Sequence, residues 1–267
     1  MQLNSTSYII KFAIATCVVC SLMVSSAAVL LKSKQKQNVQ LDRQRNVLAV
    51  AGLTQPGQSL GAKETQQLFK NRVEPRLIDL ATGTSAGPDS GIDPATYDQR
   101  RAAADPSTST PAKPNLSSII RVPKYALIYE IYPSTARDHA ELYVLPVEGL
   151  GLWGTLYGFL ALDKDAQTIR GLTFYTHKET PGLGGEVDNP LWKAKWPGRK
   201  AFDENGKPVI EVIKGAAGTA AEDPHHVDGL SGATITSRGV TNLLQFWLGE
   251  QGFGPFLATL HGKGSPS

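Results

Sequence analysis

Thiols are scarce in this 267-residue chain: its two cysteines, Cys17 and Cys20, both lie inside a hydrophobic run near the N-terminus. A C-x-x-C pair in that setting fits small, packable membrane residues better than zinc or thioredoxin-type chemistry, which needs a soluble site and further ligands. The remaining body has no thiol and so relies on neither a disulfide nor a cysteine nucleophile, which is compatible with an oxidising compartment. An excess of one charge is missing too. Lys and Arg number 27 against 24 Asp and Glu, for a formal net charge of +3. The basic residues form no stripe interleaved with aromatics, so nucleic acid is not an expected partner. No internal repeat stands out, and the length suits one moderate domain with an anchor and a linker.

Charge is absent from Phe12 through Leu31, a stretch about long enough to cross the hydrocarbon core of a bilayer. A cleaved signal peptide competes with a retained anchor. Ser25, Ser26, Ala27 and Ala28 favour cleavage, yet the apolar run continues past them through Leu31. The expected organisation is a short tail over 1–11 and a single-span anchor over 12–31. Lys32, Lys34, Lys36, Arg43 and Arg45 follow the span, while Lys11 and the amino terminus precede it. Taken alone, the positive-inside rule keeps the body in the cytoplasm.

Beyond the anchor, residues 32–58 read as a polar, exposed connector. Residues 59–82 read as a helical segment, in which Lys63 to Asp79 forms a helix bent or divided by Pro75. Residues 83–118 are rich in Gly, Pro, Ser and Thr, and suggest a surface excursion, partly disordered, that serves as a contact arm. The core occupies 119–262. Strands are expected at Tyr125–Tyr132, Leu142–Leu145, Thr155–Leu162, Thr168–Thr176 and Val209–Ile213. Closely spaced strands with helices at both ends predict an α+β domain built on an antiparallel sheet flanked by helices.

Chemistry concentrates in two stretches. Asp228-Gly229-Leu230-Ser231-Gly232-Ala233-Thr234-Ile235-Thr236 precedes a helix whose apolar residues fall at Val240, Leu243, Leu244, Trp247 and Leu248. Ser231 is a candidate N-cap, Gly232 and Ala233 permit close backbone approach, and Thr234 sets a hydroxyl where a helix start would stabilise a phosphate. Plain capping explains the same residues. Upstream, His177-Lys178-Glu179-Thr180-Pro181-Gly182-Leu183-Gly184-Gly185 follows a predicted strand. Read alone it is a Pro/Gly turn. Gly149-Leu150-Gly151-Leu152-Trp153-Gly154 matches G-x-G-x-x-G in form, but a strand-like segment follows where a dinucleotide site needs a helix, so a tight loop is expected. Lys214 is a candidate phosphate partner or a solvated side chain. His225 and His226 lack the neighbours that a metal site requires.

Both stretches, in order and with their flanks, resemble the FMN-binding subunits of the sodium-pumping NADH:quinone oxidoreductases and the related Rnf electron-transfer complexes. The run from Leu156 to Trp192 resembles the C subunits of the sodium pumps in particular. The likeness covers most of the chain and is weakest over 85–118. It implies that Thr234 carries FMN covalently as a phosphoester, installed by a flavin transferase that uses FAD. Asp228 heads the motif, and helix-start geometry alone does not separate Thr234 from Thr236 or Ser237. The resemblance also implies a pocket in which His177, Glu179 and Thr180 bond the ribityl chain or ring edge. Gly182 permits close approach there, Leu183 covers a ring face and Trp153 packs nearby. No catalytic residue and no metal are expected. The implied partners are the other subunits of a bacterial inner-membrane complex, with the flavin domain on the periplasmic side, against the charge rule. The competing classes are an Rnf-type electron-transport subunit and a non-redox membrane-tethered scaffold or flavin-binding module.

Overall fold

The computed structural model describes residues 5–263, apart from 56, 57, 59, 88, 89 and 136. Two compact units divide between Arg43 and Gln44. The first is helical from Thr6 onward and belongs to α1 (Thr6–Val50). Its apolar stretch is entirely exposed, and α1 is long and apolar enough to cross a membrane. The helix does not end with the apolar run. Residues 32–50, expected as part of a polar connector, continue it, because Lys, Gln, Arg and Leu are good helix formers and no Gly or Pro interrupts them. Its last turns bury Val47, Leu48 and Val50 within the second unit.

The second unit is built on a sheet. Among the described residues, β1 (Val73–Asp79), β4 (Tyr125–Ile131), β5 (Leu142–Leu150), β6 (Thr155–Asp163) and β7 (Ile169–Thr176) pair antiparallel in the order β1-β4-β5-β6-β7. Side chains alternate between the two faces, as the strand period demands. Ala126, Ile128, Leu145, Val147, Leu156 and Leu160 join one core cluster, while Leu127, Tyr129, Val144, Phe159 and Ala161 join another. Both faces are covered, so these strands read as nearly continuous apolar runs.

The expected helix over 63–79 is half strand. α2 (Ala62–Arg72) stops where β1 begins. Val73 and Leu77 are four apart, a spacing that suits a helix face and equally one face of a strand. Pro75 decides between them: it biases Glu74 toward extended backbone and has no N–H to give a ladder, which an edge strand tolerates. The excursion over 83–118 carries regular structure among its described residues. It contains α3 (Gln99–Ala104), capped by the Asp98 carboxylate, and β2 (Ser109–Pro111), paired antiparallel with β3 (Arg121–Pro123). The guanidinium of Arg100 lies 3.5 Å from the centre of the Tyr157 ring and so fastens α3 to the sheet.

Three short elements complete the path to the last helices: α4 (Pro190–Lys193), β8 (Glu211–Val212) and β9 (His226–Val227). β8 and β9 pair in parallel, a two-residue remnant of the strand expected over 209–213. α5 (Thr234–Leu248) lays Val240, Leu243, Leu244, Trp247 and Leu248 into the first cluster, and α6 (Gly254–Lys263) follows. The Trp247 indole N–H donates to the Glu148 carbonyl at 2.7 Å, which ties α5 to β5.

Candidate functional site

Thr234 is the first residue of α5, and its side chain is exposed. Ser231 does not cap the helix. The N-cap position falls on Ala233, whose side chain accepts nothing, and Ser231 is exposed. Local hydroxyl chemistry goes elsewhere: Ser237 accepts the Leu230 amide through Oγ at 3.0 Å, which folds the approach loop back onto the helix. The start of α5 therefore has no side-chain cap of its own, and the first amides of a helix have no partner within it.

Two residues on, Thr236 is fully buried and donates its hydroxyl to Glu179 Oε2 at 2.5 Å. The tertiary structure thus separates two threonines that helix-start reasoning left equivalent. Thr234 offers an outward-facing hydroxyl, and Thr236 is committed to the interior.

Glu179 does not show the outward orientation expected of a residue that bonds the ribityl chain or ring edge. It is neither a surface carboxylate nor a group aimed outward at a ligand, since it is 5% exposed and accepts the amides of Leu152 and Trp153 as well, each at 3.0 Å. Gly149 lies within β5, and residues 151–154 form the tight β5–β6 turn, closed by the Gly151 amide donating to the Gly154 carbonyl at 2.8 Å. His177 is half-buried; its Nε2 pairs with Asp188 at 2.7 Å and its Nδ1 accepts the Glu179 amide. Thr180, Gly182 and Leu183 are exposed, and the Thr180 carbonyl accepts the amides of Leu183 and Gly185.

The 180–183 turn meets the approach loop of α5. Gly232 sits at φ +70°, and a Cβ there would stand 2.9 Å from Leu183 Cδ2, so glycine answers both the backbone and the contact. The segments that meet here carry exposed apolar side chains: Trp153 on the β5–β6 turn is 65% exposed, Ile235 on α5 56% and Leu183 on the 177–185 loop 45%.

Asp228 is anchored rather than free. Its carboxylate pairs with Lys195 and accepts the Ala217 amide at 3.0 Å, while its carbonyl accepts the Trp192 indole N–H at 2.8 Å. Burial pushes this carboxyl up, but the Lys195 bond, the Ala217 amide and the charges of Lys195 and Arg199 outweigh burial and hold it below its ordinary value. Lys214 is exposed on the segment whose Gly215 carbonyl accepts the Gly229 amide, so it adjoins the approach loop without touching Thr234 in any hydrogen bond. His225 Nδ1 faces the Lys200 carbonyl at 3.0 Å, and His226 Nδ1 faces Asp223 at 2.7 Å. Sequence reasoning missed Trp192, Lys195 and Arg199 as supports of this loop. No local pattern links them to Asp228, which lies about thirty residues away and is reached only through the fold.

Comparison with known proteins bears on the same region. Residues 151–249 match the family model described as FMN-binding domain, which takes in the β5–β6 turn, the 177–185 loop and α5. The chain is 49% identical to the C subunit of the Na(+)-translocating NADH-quinone reductase of Yersinia pestis, over 90% of its own length and 88% of that protein. It is 47% identical to the corresponding protein of Pseudomonas aeruginosa over 96% and 97%. The chain belongs to the NqrC family, the C subunits of these reductases. Crystallised Shewanella oneidensis NqrC has the same fold, with a TM-score of 0.74 at 34% identity over 84% of this chain and 98% of that one. The α+β architecture and the apolar N-terminal helix accord with that membership. Membership of the NqrC family also answers the choice between the sodium-pump and Rnf branches in favour of the former.

Proposed function

We propose that this NqrC family member carries electrons through FMN held by a phosphoester on the Thr234 hydroxyl, within a sodium-pumping NADH:quinone oxidoreductase. The observation that carries the reading is an exposed threonine at an uncapped helix start, set among exposed apolar side chains, inside the matched FMN-binding domain. These residues fit the group. The first amides of α5 and the positive end of its dipole suit the single negative charge of a phosphodiester. Leu183, Ile235 and Trp153 offer apolar cover for a flat ring, and the exposed Thr180 hydroxyl suits its edge.

Bound FMN supplies the redox chemistry through its isoalloxazine ring. The protein's part is to hold and orient. The Lys195–Asp228 pair and the Ser237–Leu230 bond fix the loop that presents Thr234, and Lys214 adds a cation on the adjoining segment. No general acid or base is required of these residues. The single span does not form an ion path, so sodium translocation belongs to the assembled complex. Its partners are the other subunits, and a flavin transferase acts during maturation.

Mass spectrometry of the tryptic peptide from Gly215 to Arg238 tests the linkage. The wild-type chain, co-expressed with the transferase, should yield that peptide carrying FMN, and Thr234→Val should yield it bare with the fold retained. A bare wild-type peptide from active complex refutes the phosphoester; modified peptide in the valine variant moves it to another hydroxyl. We place the domain on the periplasmic side of the inner membrane because large domains translocate despite basic flanks. A phosphatase fusion at the C-terminus should therefore be active, and an inactive one reverses the orientation.

A further inference from the structure

Glu179 binds three places that are remote from one another in the chain. Oε1 accepts two amides from the β5–β6 turn, and Oε2 accepts the Thr236 hydroxyl from the first turn of α5. Its own backbone belongs to the loop that carries Leu183. Space for the carboxylate depends on two glycines. A Cβ at Gly151 would lie 2.6 Å from Oε1, and one at Gly184 would lie 2.5 Å from both Oε2 and the Thr236 hydroxyl oxygen. A buried carboxylate with charge-assisted bonds of this kind holds its partners about twice as strongly as a neutral acceptor would. The segments it joins carry exposed apolar side chains, Trp153 on the turn and Leu183 on the loop, and the third begins with Thr234.

We propose that Glu179 is the positioning residue of this site, a buried clamp that sets Trp153 and Leu183 relative to the Thr234 hydroxyl while its own oxygens stay turned inward. The clamp stands on the hydrogen bonds alone; its consequence for a flavin rests on the reading of Thr234 given above. Glu179→Gln removes the charge yet can keep both arms, its amide oxygen accepting the two turn amides and its NH2 donating to the Thr236 hydroxyl, whereas Glu179→Ala removes both. Thr236→Val breaks only the arm to α5, and Thr236→Ser keeps it.

Residue-resolved amide exchange on the full-length, flavin-free chain tests the clamp. The Leu152 and Trp153 amides should exchange roughly tenfold faster or more in Glu179→Ala, with the protection of β4 to β6 unchanged. The second test uses the flavinylated chain. Thr236→Val should shift the visible circular dichroism and the midpoint potential of the attached flavin while the Gly215–Arg238 peptide stays modified, and Thr236→Ser should restore both signals. Unaltered exchange at 152 and 153 in Glu179→Ala overturns the clamp, as does a Thr236→Val protein indistinguishable from wild type in both flavin signals. Should Glu179→Ala fail to fold, the Thr236 pair still decides. A wild-type peptide without flavin defeats the attachment reading and leaves the exchange test of the clamp intact.

Discussion

On one face of the sheet the cover is led by one amphipathic helix, α5, whose apolar residues recur at helical spacing and whose first residue is Thr234, with Trp192, Trp196 and Phe256 beside it. On the other face the cover is assembled from pieces: Val47, Leu48, Val50 and Ala51 at the end of α1 and just beyond, with Leu68 and Phe69 of α2. Each piece contributes too few apolar positions to show a period of its own. Burial of α5 could therefore be read from its periodicity. On the other face it is visible only once the strands are in place. Stability need not follow legibility, because a fully buried leucine loses the same contacts whichever element supplies it.

A paired substitution breaks the comparison most sharply. Trp247→Ala removes the largest fully buried side chain of α5 and its bond to the Glu148 carbonyl, and should cost about 3–5 kcal/mol. Leu48→Ala on the other face should cost about 2–5 kcal/mol. Denaturant unfolding of the purified chain measures both. A Leu48 variant as stable as wild type would return residues 44–51 to the status of a connector.

A smaller effect sharpens the site side. Asp228 has its carboxyl held below the ordinary value, so its contribution to stability is present at neutral pH, above the unfolded-state pKa of about 3.9. That contribution is lost as pH falls through the lower, folded value. Asp228→Asn should remove about 0.5–1 kcal/mol at pH 7 and flatten the loss of stability below about pH 4. Equal acid-unfolding profiles for variant and wild type would show that Lys195 does not stabilise the loop through charge.

Strands β4 to β7 were legible because their apolar residues run in blocks bounded by turn residues such as Asp163-Lys164-Asp165. β1 was not, since Val73 and Leu77 satisfy two periods at once. The second half of the long helix was obscured by its polarity, which describes what a segment faces and says little about whether it is helical. Within the site, Thr234 and the 177–185 loop were recognisable from residue pattern and family likeness. Glu179 was noticed for its chemistry, yet its direction was not legible: a carboxylate in a Pro/Gly loop reads as a ligand contact until two distant amides and a hydroxyl are found against it.

Residue order by itself determined the apolar span, the antiparallel core strands and the amphipathic last long helix. All of these follow from local periodicity and composition. Only the tertiary structure decided which threonine faces outward, where the Glu179 carboxylate points and what supports Asp228. Those outcomes depend on contacts between segments tens of residues apart, and hydrogen-bond geometry at such range is set by how the sheet and helices pack.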